Sequence, residues 1–296
     1  MADSSNPLIA LSDHNAQIVE RAAQGVVAVH GGGRSSGIHW RSGVIVTAEE
    51  VLERDEDISV TLPGGRQVAA TLAGRDPSTD VAVLRFTPDG LTAAQTAAAA
   101  ALRPGHVVLA VGSHEGAPVA SLGIVGFVGG AWHSSRGGAI DHLLRLDLSL
   151  SPRAEGGALV DMDGRVLGMT VFGPRRRVLA IPSATIDRAV DQLLSKGHVA
   201  RGYLGAGLQN VRLGRGTSDA KRGILVVSID PAGPAARSGL LVGDIITAWN
   251  ARPVAQVREV MRLLGPDSVG ASVDLQLLRG GAAADLKLTL GERPLS

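Results

Sequence analysis

Short runs of β-branched and other apolar residues, separated by Gly, Ser or Pro, follow one another through the first two thirds of the chain. Such runs predict short strands, and their regular spacing with turn residues between them indicates β-sandwiches or barrels. Pro-Gly-Gly at 63–65 and Asp-Met-Asp-Gly at 161–164 predict tight hairpin turns. The predicted strands cover 25–29, 43–47, 58–62, 67–72, 80–86, 107–111, 121–128, 143–148, 158–160 and 166–171.

A helix is predicted to close this β-rich region. Ser183 is a suitable N-cap residue, apolar residues recur at helical spacing as far as Leu194, and Gly197 supplies the C-terminal stop. The alanine-rich stretch 92–101 is predicted to be a linker with some helical tendency between two sets of strands. We therefore place the end of the first domain at residue 198.

The last third of the chain predicts a small α+β module, in which short strands are combined with one short and one longer helix. The predicted organisation is thus an N-terminal extension 1–17, a β-rich domain 18–198 and a small domain 199–296. The strands of the small domain are predicted over 204–208, 223–229, 244–249, 273–278 and 286–290, and its helices over 234–238 and 256–264.

Composition narrows the range of functions. Hydrophobic residues make up 45% of the 296 positions and charged residues 19%, which is enough apolar material for packed cores. The 29 basic and 28 acidic residues leave a net charge of +1, so charge provides no argument for a nucleic-acid partner. The chain has no cysteine, and its histidines lack metal-ligand spacing, so we predict neither a metal nor a cofactor.

Hydropathy bears on the cellular location. No run of apolar residues reaches the length of about 18 that a membrane-spanning helix needs, so no membrane span is predicted. The first residues contain neither a basic segment nor a long apolar one, and no secretory signal is recognisable. These features predict a cytoplasmic protein, or a periplasmic one if the start has been trimmed.

Several motifs point to one family. Gly-Arg-Asp-Pro-Ser-Thr-Asp at 74–80, Gly-Gly-Ala-Leu-Val-Asp at 156–161 and Leu-Ala-Ile-Pro-Ser at 179–183 occur in the β-rich domain. Arg-Gly-Tyr-Leu-Gly at 201–205 and the stretch 228–246 occur in the small domain. Through these motifs the chain resembles the bacterial HtrA/Deg-type serine endopeptidases. The resemblance implies a mainly β fold, in which a trypsin-like double β-barrel precedes a small α+β PDZ domain.

The resemblance also implies where a catalytic triad would lie, and two of its three residues differ. The family's aspartate corresponds to Asp80, its histidine to Glu50 and its serine to Glu155. Arg153 and Ala154 stand in the oxyanion loop. Glu155 has no hydroxyl to act as nucleophile, and attack of its carboxylate on an amide would give an anhydride of higher energy. Glu50 is a weak general base at neutral pH. The family's route to peptide hydrolysis is therefore predicted to be absent.

Three carboxylates in the space of one triad repel one another, and the sequence leaves three arrangements open. We expect Arg153 or the basic run 175–177 to form a salt-bridged plug with Glu155. Alternatively, the side chains are solvated, or a divalent metal binds them. Ser149 or Ser151 as a displaced nucleophile is a further alternative, because both lie close to the altered loop.

The small domain is predicted to bind peptides. PDZ domains add an extended peptide as a strand and hold its C-terminal carboxylate with the amides of a loop. The loop motif and one apolar face of the predicted helix 256–264 supply the candidate residues. They are Gly202, Tyr203, Leu204, Gly205, Ala206, Val257 and Met261.

Together these features predict an inactive HtrA-like pseudoprotease that binds protein C-termini or extended peptides as a scaffold, adaptor or regulatory subunit of a larger complex. The alternatives are a serine endopeptidase with an unrecognised nucleophile and a chaperone-like holdase. Cleavage of casein separates the first alternative from the others, and suppression of the aggregation of a denatured protein tests the second.

Overall fold

A computed structural model describes residues 6–88, 90–213 and 222–294. Two compact units are present, one formed by residues 1–134 and 139–199 and the other by residues 135–138 and 200–296. In both units antiparallel strands surround a core of aliphatic side chains. The predicted mainly β fold is therefore confirmed.

The first unit begins with a helix that the strand pattern did not predict, α1 (Pro7–Ala23). Asn6 accepts a hydrogen bond from the N–H of Leu8, and Pro7 occupies the first turn, where its missing N–H costs nothing. Ile18 is fully buried in the barrel core. Residues 7–17 of the predicted N-terminal extension thus belong to a helix that packs on the barrel.

Six strands form the first closed barrel in the order β1-β2-β3-β6-β5-β4. The hairpin predicted at 63–65 joins β4 to β5, with Ile58 opposite Ala70, and is confirmed. The strands are β1 (Val26–His30), β2 (Arg34–Arg41), β3 (Val44–Thr47), β4 (Ile58–Thr61), β5 (Gln67–Asp76) and β6 (Val81–Phe86).

Strand β2 was not predicted, because its first half is polar and contains a glycine. The structure nevertheless buries Ser35 and Ser36, at 3% and 0% exposure. A Cβ at Gly37 would lie 2.7 Å from Ile45 Cγ2 and 2.9 Å from Val29 Cγ2. Only glycine therefore allows this strand to pass so close to its neighbours.

A second closed barrel has the order β11-β14-β13-β12-β7-β8, and a small hairpin of β9 and β10 accompanies it. The predicted linker 92–101 contains a short 3₁₀ turn, Ala99–Ala101, and a β-bridge between Thr96 and Val166. Helix α2 (Ser183–Lys196) follows the last strand, and Gly197 caps its C-terminus, as predicted. The prediction of Ser183 as the N-cap is wrong, because Pro182 is the N-cap residue and the Ser183 hydroxyl donates to the Ala97 carbonyl instead. The strands are β7 (Val107–His114), β8 (Ala117–Gly129), β9 (Trp132–His133), β10 (Ala139–Ile140), β11 (Leu143–Asp147), β12 (Ala158–Val160), β13 (Val166–Phe172) and β14 (Val178–Pro182).

The second unit is an antiparallel sheet with two helices. Its main sheet has the order β16-β17-β18-β20-β21, so β16 is an edge strand. The strand predicted over 204–208 begins at Ala206, because Leu204 and Gly205 form a loop. The elements are β15 (Gly202–Tyr203), β16 (Ala206–Arg212), β17 (Arg222–Ile229), α3 (Pro234–Arg237), β18 (Ile245–Trp249), β19 (Arg252–Pro253), α4 (Val257–Leu263), β20 (Ser272–Arg279), β21 (Ala282–Thr289) and β22 (Gly291–Glu292).

The helices of this fold differ from membrane-spanning helices. Among the described residues, none of them combines the length and the apolar character needed to cross a membrane.

Candidate catalytic centre and peptide-binding groove

Asp80 and Glu50 lie next to each other, as the alignment of the triad positions implies. The backbone N–H of Glu50 donates to Asp80 Oδ1 at 2.9 Å, and that of Glu49 donates to the Asp80 carbonyl at 3.3 Å. Asp80 adopts a left-handed conformation with φ of 58°, which is unusual for a residue with a side chain. The two amides that follow β3 thus hold Asp80 at the start of β6.

The Asp80 carboxyl has a strongly altered acidity. Its burial raises the pKa from 3.8 to about 7, and the N–H of Glu50 offsets part of this effect. The negative charges of Glu50, Glu155 and Glu49 raise the pKa further. The cluster of carboxylates expected from the sequence is therefore present and affects the ionisation of its most buried member.

Glu155, which is predicted to stand at the position of the nucleophile, is directed toward strand β13. Its Oε1 accepts a hydrogen bond from the backbone N–H of Phe172 at 3.0 Å, and its carbonyl accepts one from the N–H of Ser36 at 2.8 Å. Burial raises the pKa of Glu155, while the N–H of Phe172 and the charge of Arg176 act in the opposite direction. Its carboxylate therefore has a defined partner.

The loop before Glu155 forms a 3₁₀ turn, Pro152–Ala154. Two backbone N–H groups donate hydrogen bonds within this turn. The N–H of Arg153 donates to Ser151 Oγ and that of Glu155 donates to the Pro152 carbonyl, each at 3.4 Å. In serine proteases these two positions supply the N–H groups of the oxyanion hole. Here both are directed into the turn, and Ala154 is buried beneath it.

Arg153 does not form the expected plug with Glu155. Its guanidinium donates to His114 Nε2 at 2.5 Å, because the turn directs the side chain toward strand β7. Arg176 instead provides the positive charge that lowers the pKa of Glu155, and its guanidinium lies 4.6 Å from the centre of the Phe172 ring. The prediction is thus corrected for Arg153, while the basic run 175–177 does lie beside the altered centre.

The other chemical alternatives find no support among the described contacts. Ser149 and Ser151 are exposed, and neither hydroxyl contacts an imidazole in the part of the chain that the structure describes. A serine nucleophile needs a base within hydrogen-bonding reach. Within the same described ranges, no group of three or more His, Asp or Glu side chains is arranged to hold a metal ion.

Ser36 is a structural residue of this centre that the sequence analysis missed. Its Oγ donates to the Arg153 carbonyl at 2.6 Å and accepts from the N–H of Ser113 at 2.8 Å. It therefore ties the 3₁₀ turn to strands β2 and β7. The only sequence signal is a pair of serines before Gly37, which is too common a pattern to identify such a role.

In the second unit, the edge strand β16 lies beside helix α4. The N–H of Val257 donates to Asn210 Oδ1 at 2.8 Å, which fixes the start of the helix against the strand. Val260 is fully buried in the core, whereas Val257 and Met261 are half-buried on one face, four residues apart. The structure thus separates the two groove candidates from their core neighbour.

The loop that precedes β16 presents backbone rather than side-chain groups. Leu204 is 2% exposed, and its side chain belongs to the core. Gly205 has φ of 76°, and a Cβ there would lie 3.0 Å from Gly233 Cα. The N–H groups of Leu204 and Gly205 donate to no other residue among those described. Two N–H groups at the end of an edge strand can therefore donate hydrogen bonds to an anionic group.

Gly202, Tyr203 and Ala206 surround this loop. Gly202 and Tyr203 form β15 and pair with β22, and the Tyr203 hydroxyl donates to Asp230 Oδ2 at 3.0 Å. Ala206 begins the edge strand opposite Ile229. These contacts hold the loop in place, so the three residues support the candidate site without offering a charged group to it.

Comparisons with known proteins agree with the two-unit architecture. A family model described as a trypsin-like peptidase domain matches residues 35–169, and one described as a PDZ domain matches residues 202–290. The chain is 32% identical over 273 residues to a probable periplasmic serine endoprotease DegP-like of Halomonas elongata, covering 85% of this chain and 55% of the relative. It is 30% identical over 259 residues to the periplasmic serine endoprotease DegP of Escherichia coli strain K12, covering 84% and 54%. The chain spans about half the length of these relatives.

Solved structures show the same similarity along nearly the whole chain. The serine endoprotease from Yersinia pestis is 30% identical, with a TM-score of 0.74 and coverage of 95% of this chain and 98% of the other. An HtrA-type protease AlgW bound to a decapeptide is 25% identical, with a TM-score of 0.75 and coverage of 95% and 99%.

Proposed function

The chain belongs to the HtrA/DegP family of trypsin-like serine proteases with a PDZ domain, and we propose that it is a non-proteolytic member that binds peptides. The observation that carries the proposal is the carboxylate of Glu155 at the nucleophile position, held by the N–H of Phe172. We assign residues 18–198 to the protease-like domain and 199–296 to the PDZ domain, with 1–17 as an N-terminal extension.

The absence of hydrolysis follows from three features that act on different parts of the reaction. Glu155 has no hydroxyl to attack a peptide carbonyl, and Glu50 brings no imidazole to accept a proton. The N–H groups of Arg153 and Glu155 are engaged inside the 3₁₀ turn, so neither is directed at a developing oxyanion. Replacing any one of these features alone would leave the others missing.

The purified protein is therefore expected to leave unfolded casein intact and to remain unlabelled by a fluorophosphonate probe. The periplasmic endoprotease of Escherichia coli named above, assayed under identical conditions, serves as the positive control. Because a fluorophosphonate reacts with an activated serine, labelling would show directly that a nucleophile is present. Casein cleavage that survives Asp80→Ala but is lost in Ser149→Ala or Ser151→Ala would contradict the proposal.

A serine endopeptidase is the second candidate, favoured by the names of the relatives, which are endoproteases. It would require a nucleophile other than residue 155, and Ser149 and Ser151 are the nearest candidates. Turnover that is lost in Ser149→Ala or Ser151→Ala, but retained in the exposed Ser195→Ala, would identify it. Without turnover in the parent protein this candidate is excluded.

Peptide binding is supported by the edge strand β16, the free amides of Leu204 and Gly205, and the apolar face of α4. A peptide added to β16 would continue the antiparallel sheet, with its carboxylate at the two amides and its last side chain near Val257 and Met261. The partners are thus protein C-termini or extended peptides, and the chain acts as a scaffold, adaptor or regulatory subunit. Since the named relatives are periplasmic, we place this activity in the periplasm.

The full-length protein is expected to bind peptides with an apolar, free C-terminus at micromolar concentration, equivalent to about −7 to −9 kcal/mol. Amidation of the peptide removes the charge that the amides of Leu204 and Gly205 recognise, so it should weaken binding at least about tenfold. Fluorescence anisotropy measures both affinities. Met261→Asp should weaken binding similarly, whereas Leu263→Asp, at an exposed position of the same helix, should not. Equal affinities for free and amidated peptides would contradict the carboxylate site.

A further inference from the structure

A cavity on the second barrel is lined mainly by positive charge. It has a volume of about 460 Å³ and lies between strands β8 and β11 and the segment before β14. Arg145, Arg176 and Arg177 contribute three guanidinium groups to its wall, and Asp147 contributes one carboxylate. The cavity is therefore cationic, although the chain as a whole is almost neutral.

These three arginines differ from five others of the first unit, which pair with carboxylates. In the part of the chain that the structure describes, none of the three lies within 4.0 Å of a carboxylate oxygen, although the charge of Arg176 acts on Glu155 over a longer distance. Arg145 lies 5.4 Å from the centre of the Phe127 ring and Arg176 lies 4.6 Å from that of Phe172. Stacking on an aromatic ring orients a guanidinium without using its hydrogen-bond donors. The arginines of the same unit that pair with carboxylates among the described residues include Arg34, Arg41, Arg75, Arg165 and Arg188.

The backbone that presents two of these arginines is strained. Arg175 and Arg176 have φ of 58° and 55°, so two consecutive residues with large side chains adopt a left-handed conformation. Such strain is concentrated at functional and ligand-binding sites. The backbone strain and the positive charge are therefore two independent features of the same segment.

An exposed apolar strip lies beside the cavity on strand β8. Leu122, Ile124 and Phe127 are 53%, 39% and 42% exposed. Leu122 and Ile124 share a face because they are two residues apart, and a bulge at Gly126 brings Phe127 to the exposed side as well. A ligand that fills the cavity would therefore meet apolar side chains immediately next to the guanidinium groups.

We propose that this cavity binds the carboxylate side chains of an acidic peptide segment whose apolar residues pack on the strip of Leu122, Ile124 and Phe127. Arginine presents its donors in a planar fork that matches a carboxylate, which explains why unpaired guanidinium groups suit this ligand. A free small anion would use the cavity and leave the apolar strip without a partner. The inference goes beyond the proposed function, because it gives the protease-like unit a binding site of its own.

The test uses the full-length protein and a fluorescein-labelled peptide in which Asp and Glu alternate with Leu. The peptide carries a C-terminal amide, so the PDZ carboxylate site does not contribute to its binding. Arg176→Gln combined with Arg177→Gln should weaken binding at least about tenfold. A control with the same loss of charge, Arg54→Gln combined with Arg66→Gln, should leave the affinity within about twofold, since both positions lie on the first barrel.

Two further arms separate the ligand classes. A peptide with Asn and Gln in place of Asp and Glu should bind at least about tenfold more weakly, because it keeps the apolar residues and loses the charge. An unlabelled peptide with a free apolar C-terminus, which occupies the PDZ groove, should not displace the probe. Equal binding of the charged and uncharged peptides, an equal loss in both double variants, or displacement by inorganic phosphate at low millimolar concentration would each overturn the proposal. Thermal denaturation of both double variants verifies that they are folded.

Discussion

Placing histidine and serine at the two positions that we assign to the triad should not confer proteolysis. The variant Glu50→His with Glu155→Ser regains an imidazole and a hydroxyl beside Asp80, yet the amides at 153 and 155 still face into the 3₁₀ turn. Loss of a single oxyanion-hole donor typically lowers kcat by about 10² to 10³. With both donors engaged, casein turnover should therefore remain below about one thousandth of that of an active relative.

A third substitution distinguishes this explanation from general damage to the centre. Adding Arg153→Gly allows backbone conformations that arginine disfavours, and it removes the side chain that bonds to His114. Turnover should then rise by about 10² or more over the double variant. Arg54→Gly on the same double background is the matched control and should have no effect. A double variant that already digests casein efficiently would refute the role of the turn.

Replacing Asp80 with asparagine should stabilise the protein at alkaline pH. The folded state raises the pKa of this carboxyl from 3.8 to about 7 and therefore binds its proton more tightly than the unfolded chain. The resulting contribution to stability is complete below about pH 4 and is lost as the pH rises through 7. The two pKa values differ by an amount that corresponds to up to about 4 kcal/mol. Asp80→Asn removes this loss, and Asn can still accept the N–H of Glu50.

Urea denaturation at pH 4 and pH 8 measures the effect. The difference in unfolding free energy between Asp80→Asn and the parent protein should grow toward pH 8, by as much as about 4 kcal/mol. Glu155→Gln should reduce the pH dependence of the parent protein, because the charge of Glu155 contributes to the raised pKa of Asp80. The exposed Asp13→Asn is the control and should follow the parent curve. A difference that is the same at both pH values would show that Asp80 ionises normally.

Only some features of the carboxylate centre could be predicted from the sequence. The assignment of Glu50 and Glu155 to triad positions could be predicted from the sequence, since each lies within a longer motif that resembles the family's. Their effect on Asp80 could not, because a pKa depends on burial and on the distances between charges. The same limit applies to Arg153, which is two residues from Glu155 in sequence but contacts His114 in space.

Most strands and hairpins were determined by the sequence alone, because alternating apolar runs between turn residues leave few other arrangements. The motifs likewise identified the family and located the carboxylates at positions 50 and 155. Helix α1 and strand β2 depended on the tertiary structure, since the polar residues of β2 are buried only through contacts with distant strands. Along helix α4, spacing alone could not distinguish the fully buried Val260 from the half-buried Val257. The packing of the second unit decided this, as it decided the direction of the oxyanion amides, because both depend on neighbours that are far apart in the chain.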